Sequence, residues 1–440
     1  MKKKYQKNLI KLNMKIERTK LKNLTKQITD GEHGSVKDDN NSNYYLLSNK
    51  NINNGLIKYD EFDRKISKKT LEKISQRTKL QNGDVIISTV GTIGKSAIVR
   101  NKNINFDFQR SVGIIKCDNK KIIPEFLYYY FNLNQVKKRL TDNANVSIQK
   151  CLYIADLEDI IVDYYKDTSY QSKIVNLLSK LDSKINLNFQ INEKIENIIK
   201  SIYNYWFVQF DFPNSKSLPY KTNGGKMVWN KFFKREIPFN WKVGTLKDVL
   251  YIVESGDRPK GRVRDNKSGI PSIGAENILS IAKYNFDQEK FVPYEYFSDM
   301  KKGIVKSNDV LLYKDGLSLG RVSMFKNDFP YKKCCVNSHV FILRSNDSIS
   351  QNYLYFWLDQ KYIKKLIARY GMASSQPGIN QQDVNEIPIL IPDNNLIKSF
   401  DELIKSNIDM LFSNSKENKI LNTLKNWLLP MLMSGQLKIN

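Results

Sequence analysis

A single internal repeat constrains this chain more than any other feature. Leu21-Lys22 recurs as Leu246-Lys247, and Lys50-Asn51-Ile52 recurs at almost the same offset as Glu276-Asn277-Ile278. Asn82-Gly-Asp-Val-Ile-Ile returns as Ser307-Asn-Asp-Val-Leu-Leu, and Gly91 meets Gly316 in the same register. Phe126-Leu-Tyr128 answers Tyr353-Leu-Tyr355, and Asp156-Leu-Glu-Asp-Ile-Ile-Val answers Asp383-Val-Asn-Glu-Ile-Pro-Ile, both with one shared spacing. Because the order is kept, one duplicated unit fills the 440 residues. A repeat this long is a domain rather than a solenoid turn.

Each unit has two parts. The larger mixes short β-rich apolar runs (Val85 to Ser88, Ser111 to Lys116, Val310 to Tyr313, His339 to Leu343) with Gly/Asn turns and some helix, which is an α+β pattern. The smaller is one long helix. Positions 174, 178, 181, 185, 188, 192, 195, 199, 202 and 206 alternate steps of four and three, and they read Ile, Leu, Leu, Ile, Asn, Asn, Ile, Ile, Ile, Trp. This is a heptad seam with two polar residues in its middle. The same seam returns in the second repeat from Phe400 to Leu432, and Asn188 and Asn192 reappear as Asn414 and Asn418. Twin Asn in one register of both repeats point to two helices pairing with each other. An antiparallel pair would use the buried Asn to set register, at a cost in stability. Asn407 and Lys425 interrupt the second seam. From Ile174 to Trp206 such a helix would measure about 48 Å, or about 14 base pairs of duplex. Between the repeats, 211–225 carries Pro213, Pro219, Gly224 and Gly225 and reads as a connection.

Composition narrows the partner. Lys+Arg number 71 against 45 Asp+Glu, a net charge of +26. Heavy Lys and Asn usage resembles AT-rich coding bias, yet that bias should raise the acidic residues too, so the surplus calls for an anionic partner. No compact polybasic anchor favours a membrane surface, and no run approaches 18 apolar residues, so nucleic acid is expected and a membrane is not. Cys117, Cys151, Cys334 and Cys335 fall in no paired spacing, and His33 and His339 lie far apart. Neither a disulfide framework nor a metal site is expected, and a reducing cytoplasm fits.

Catalytic patterns are missing from the residues. No Asn/Asp-Pro-Pro-Tyr/Phe motif or glycine-rich cofactor loop is found, nor a carboxylate pair, a Ser/His/Asp set or a nuclease Asp with a following Glu-X-Lys. Gly91-Thr-Ile-Gly94-Lys95-Ser96 invites a phosphate-loop reading, but that loop needs glycine where Thr89 stands. The counterpart Gly316-Leu-Ser-Leu-Gly320-Arg321 lacks the Lys-Ser, so the shared feature is a tight turn with a variable tip. Lys95 and Arg321 sit equivalently after the glycines, with Lys314 just ahead of the second turn, and a cation there could reach phosphate or a guanine edge. Arg258-Pro-Lys260-Gly-Arg262-Val-Arg264 is the densest Arg cluster, and Arg can bond guanine O6 and N7 together. Its first-half counterpart, Glu32-His33-Gly-Ser35-Val-Lys37, is less basic, so two different base sets are expected. The aromatic runs Tyr128-Tyr-Tyr-Phe131 and Tyr353-Leu-Tyr-Phe-Trp357 read as core helices rather than base-stacking platforms. His339 reads as a strand residue rather than a base.

Several of these pieces together resemble the DNA-specificity subunits of type I restriction-modification systems. They are the Asn82-to-Gly91 strand and turn with its partner at Asn308, Ile270-Pro-Ser-Ile-Gly-Ala-Glu-Asn-Ile278, Glu236-Ile-Pro-Phe-Asn-Trp241 with Gly244-Thr-Leu246, Ile379-Asn-Gln-Gln-Asp-Val-Asn-Glu-Ile-Pro-Ile-Leu-Ile-Pro392, and the heptad helices, the second ending Trp427-Leu-Leu-Pro-Met-Leu-Met-Ser-Gly435. The resemblance implies an α+β architecture of two duplicated globular target-recognition domains, each followed by a long helix, the two helices pairing as an antiparallel coiled coil with pseudo-twofold symmetry. The expected divisions are 1–165, first recognition domain; 166–212, central helix; 213–235, linker; 236–395, second recognition domain; and 396–440, C-terminal helix. The resemblance also implies a non-catalytic chain that reads a bipartite double-stranded DNA site and docks two methyltransferase subunits, joined by restriction subunits. S-adenosylmethionine, ATP and magnesium would then sit on the partners and none in this chain. By the same resemblance the polar stretches at 143–149 and 373–376, the latter with Ser374 and Gln376, lie near DNA. The alternative is a non-catalytic coiled-coil nucleic-acid-binding scaffold, and a salt series separates the two. Phosphate-only binding weakens alike on every sequence, whereas a specificity subunit keeps its preference.

Overall fold

The computed structural model describes residues 16–53, 55–101, 103–142, 151–257, 268–372 and 377–439. The chain divides into two compact units, Met1–Lys184 with Leu421–Asn440, and Ile185–Ile420.

In the first unit, Ile16–Lys20 pairs antiparallel with Ile161–Tyr165. The main sheet has the order Thr25–Asp30, Val112–Cys117, Val85–Ser88, Ser96–Ile98, antiparallel throughout. A second sheet sets Tyr44–Leu47 between Lys65–Ile66 and Phe106–Phe108, the latter pairing parallel. Val85, Ile86, Ile87 and Ser88 are all buried, which explains why this run shows no polar alternation. The period of two is still present in what each residue touches. Val85 and Ile87 join a core built with Phe126, Leu127 and Tyr130 of the helix Pro124–Phe131, whereas Ile86 joins Leu47, Phe106 and Phe108 of the second sheet.

The second unit repeats this plan. Its main sheet is ordered Leu250–Ser255, Val340–Ser345, Val310–Tyr313, Val322–Met324. Ile270–Ile273 lies between Phe291–Val292 and a parallel Cys335–Val336, and Lys242–Thr245 pairs with Pro388–Ile391. The stretch 213–235 is folded in part: Pro213 bridges Pro219, and Met227–Asn230 forms a hairpin with Arg235–Pro238.

The repeated motifs have structural causes that recur with them. Asp84 of Asn82-Gly-Asp accepts from Gln81 N at 2.9 Å and holds the buried Lys116 ammonium, which also donates to Lys79 O at 2.6 Å. In the second unit Asp309 accepts from Lys306 N at 2.7 Å and from Arg344 Nε and Nη2, both at 2.7 Å, while Nη2 also reaches Ile304 O at 2.9 Å. Burial pushes both carboxyls above the usual range against the pull of their cations. Asn51 bridges Ser48 N and Lys58 O, and Asn277 bridges Gly274 N and Asn285 O, so each braces the loop it stands in. Both aromatic runs are core helix. Tyr130 Oη donates to Ile161 O at 3.0 Å, and its repeat counterpart Trp357 donates from Nε1 to Pro388 O at 2.9 Å.

The long helices are Thr168–Tyr203 and Asn394–Met433. In the first unit Ile174 and Leu178 share a core with Leu428, Leu429, Leu432 and Met433, and Lys425 pairs with Asp182 at 2.7 Å. In the second unit the partner of Asn188 is Asn418 and that of Asn192 is Asn414, so one number falls as the other rises and the pair is antiparallel. The buried row of the C-terminal helix steps through Ile404, Ile408 and Leu411, leaving Asn407 half-buried beside it. The helix therefore avoids Asn407 by shifting one position, which a 3.6-residue turn allows over a short span.

Candidate nucleic-acid interface

In each unit the two-glycine turn singled out by sequence lies at one end of the main sheet, the end at which the first strand of that sheet also finishes. In the first unit Gly31 follows Thr25–Asp30 and lies so close to the second sheet that a Cβ there would collide with Phe108 O. Gly256 follows Leu250–Ser255 in the same way, against Val336 O. Only glycine fits this crossing, and from it the chain runs into 32–37 in one repeat and 257–267 in the other.

The two-glycine turn lies beside it. Gly91 and Gly94 have φ of +74° and +87°, and Gly316 and Gly320 have +69° and +83°, a left-handed conformation that glycine adopts without strain. The first turn is held by Asn49 Nδ2 on Val90 O at 2.6 Å and by Lys95 N on Ser88 Oγ at 2.9 Å, and the Lys95 side chain is exposed. The tip of the second turn is more tied down. Arg321 donates to Ile278 O at 3.1 Å and Ser318 Oγ at 2.8 Å, which occupies two of its five N–H groups. Lys314 lies 3.2 Å from Asp315 and over the Phe341 ring at 5.5 Å, and Asp315 also binds His339 Nδ1 at 2.6 Å. His339 stands directly ahead of the strand Val340–Ser345. Glu276 is close by: burial alone would raise its carboxyl, but Lys290 at 2.6 Å holds it below its ordinary value.

Each turn is stitched to the segment that follows a polar stretch. Val90 bridges Cys151 and Leu152 N reaches Thr89 O at 2.8 Å. In the second unit Gly316 N reaches Pro377 O at 2.7 Å and Asp315 bridges Gly378. Ser374 and Gln376 themselves, and Arg258, Lys260, Arg262 and Arg264, lie outside the described residues. Sequence reading passed over Arg110, which stands at this sheet end in the turn Gln109–Val112. Its place two residues before the strand Val112–Cys117, as Ser338 stands two before Val340–Ser345, was the available signal.

The helix pair forms the second candidate surface. Asn188 Nδ2 donates to Asn418 Oδ1 at 2.9 Å and to Glu417 at 2.7 Å, and Asn418 Nδ2 donates to Ile185 O at 3.2 Å. Asn192 Nδ2 donates to Leu411 O at 3.0 Å and Ser415 Oγ at 3.1 Å, and its Oδ1 accepts from Asn414 at 2.9 Å. Among the described residues no cluster of His, Cys, Asp and Glu could hold a metal ion, and no helix is long and apolar enough to cross a membrane.

A chain of two repeats, each an α+β head with loops at one sheet end and a share in a paired helix, has the plan of a sequence-reading subunit. It belongs to the family described as the type I restriction modification DNA specificity domain, whose profile matches residues 13–197 and 238–426. It is similar to the type I restriction enzyme MjaIX specificity subunit of Methanocaldococcus jannaschii, at 24% identity over 86% of this chain and 82% of that one. The HindI specificity subunit of Haemophilus influenzae is 23% identical over 81% of this chain and 87% of its own. Among solved structures, the S subunit of the type I restriction-modification system from M. genitalium shares the fold with a TM-score of 0.57 at 16% identity, covering 96% of this chain and 97% of that one. The chain is accordingly a specificity subunit, a non-catalytic component of a restriction-modification complex.

Proposed function

We propose that this subunit selects a split, asymmetric duplex DNA sequence, one half read at the loop-bearing sheet end of each repeat. The observation that carries the reading is the repeated sheet end itself. Its frame recurs in both units, with the Gly31/Gly256 crossing and a turn flanked by two left-handed glycines that is one residue longer in the second unit, while the side chains on it differ. A constant frame with variable tips is what two different half-sites require. We assign Lys95 and Lys314 to the DNA-facing set, with Arg321 through its remaining donors. Arg258, Lys260, Arg262, Arg264, Ser374 and Gln376 belong to the same set by sequence. The net charge of +26 supports the phosphate contacts such binding needs.

In this reading the paired helices, held in register by Asn188, Asn192, Asn414 and Asn418, recruit two adenine methyltransferase subunits and space the half-sites. ATP-driven restriction subunits join the same complex, and S-adenosylmethionine, ATP and magnesium are bound by these partners in the cytoplasm. Co-expressing the chain with its cognate methyltransferase subunit and mapping methylated adenines tests the proposal. A single bipartite motif with unlike halves is expected, and methylation without any such motif would sink it.

A further inference from the structure

Six arginines lie in the first unit, and five of them are engaged. Arg18 pairs with Asp163 at 2.7 Å, Arg64 with Asp38 at 2.7 Å, Arg77 with Asp30 at 3.2 Å and Arg100 with Glu125 at 4.0 Å, while Arg139 donates to Tyr130 Oη at 2.8 Å. Arg110 is the exception: it is exposed, and among the described residues its guanidinium meets no carboxylate. Two acids of the adjoining segment have other partners. Asp30 serves Arg77 and His33, and Glu32 Oε1 accepts from Gly34 N at 2.7 Å.

Its backbone, by contrast, is fixed from several sides. Arg110 N donates to Glu32 O at 3.0 Å, Gln109 N to Leu47 O at 2.8 Å, Val112 N to Gln109 O at 3.0 Å and Thr89 N to Ser111 O at 2.9 Å. Thr89 Oγ1 also reaches Arg110 O at 3.4 Å. Arg110 therefore stands where the 32–37 segment, the two-glycine turn and the second sheet meet. The second repeat builds the same turn, with Asn337 N on Ile273 O at 2.9 Å, but puts Ser338 at the tip. An unpaired, planar five-donor group on a rigid base is suited to bidentate recognition, since little ordering entropy is left to lose on binding.

We propose that Arg110 is a specificity-determining residue of the first repeat, donating two parallel N–H bonds to O6 and N7 of one guanine. The inference rests on the reading that this sheet end faces DNA. Its test uses the full chain with its methyltransferase partner, comparing wild type, Arg110→Ala and Arg110→Lys by methylation mapping. Competition binding follows, on the mapped duplex and on duplexes changed at single base pairs. In both variants one G·C position of one half-site becomes degenerate, the other half-site keeps its bases, and affinity for the wild-type duplex falls about tenfold to a hundredfold. Arg110→Lys keeps the charge but not the fork, so it keeps the salt slope while losing the preference. If both variants methylate the wild-type motif unchanged, the inference is overturned. It is also overturned if affinity falls equally on all duplexes and the salt slope drops by about one, because Arg110 is then a phosphate contact. A wild-type complex with no bipartite motif would instead remove the reading on which the inference rests.

Discussion

At the scale of single residues, the two repeats solve one problem twice with different cations. Asp84 and Lys116 are buried together, as are Asp309 and Arg344, and in each case the acid also takes a backbone N–H of the turn ahead of its strand. Removing one partner of a buried pair leaves the other charge stranded, at about 3–5 kcal/mol. Asp84→Ala should cost about that much, because Lys116 would keep only Lys79 O as a bonding partner among the described residues. Asp309→Ala should cost less, because Arg344 retains Glu254 at 3.3 Å and Ile304 O. Urea unfolding of the two variants measures the difference, and equal losses would show that Glu254 does not compensate. Side chains also differ between repeats at the sheet end, the exposed Lys95 against the half-buried Arg321 and the exposed Arg110 against the half-buried Ser338, where stability constrains the choice less than at a buried pair.

At the scale of elements, the helix pair is where polar residues are kept inside. Asn188 is fully buried and Asn418 nearly so, and their mutual bond is available in one register only. Asn188→Leu should destabilise the chain by about 1–3 kcal/mol by stripping Asn418 Oδ1 and Glu417 of this donor. The double change with Asn418→Leu should cost less than the two single changes added together, because each single change already breaks the shared bond. A double-mutant cycle in urea checks this, and strict additivity would mean the two amides do not act as a pair. These helices were legible in the sequence because a heptad period is a local signal, and so was the core role of Tyr130 and Trp357, whose runs have helical spacing. The partners of Asp84 and Asp309 were not legible. They lie far along the chain on a neighbouring strand, and pairing at that distance depends on sheet order rather than on any local pattern. Asn407 was misplaced for a smaller reason: a strict heptad drifts against a 3.6-residue helix, and Ile408 takes the buried place. Arg110 escaped notice because an isolated surface arginine looks like any other until its neighbours are seen to be paired.

At the scale of the whole molecule, the division between units falls between Lys184 and Ile185 in the central helix and between Ile420 and Leu421 in the C-terminal one. Asp182 meets Lys425 within the first unit, and Asn188 meets Asn418 within the second, so each unit carries its own share of the helix pairing. One heptad inserted at both junctions would preserve the seam's phase on either side, so the contacts of each unit would survive. Each insert would add about 10 Å of helix, close to 3 base pairs of duplex. If the helices set the spacing of the proposed half-sites, the methylated motif of the lengthened chain should keep the bases of both halves while the gap between them grows by about 3 base pairs. A heptad inserted in one helix alone should fail differently, because the seam beyond it would face the wrong partners and Asn188 would no longer meet Asn418. The two variants separate spacing from folding. An unchanged gap in a stable, doubly lengthened chain would take the spacer role away from the helices and leave it to the bound partners.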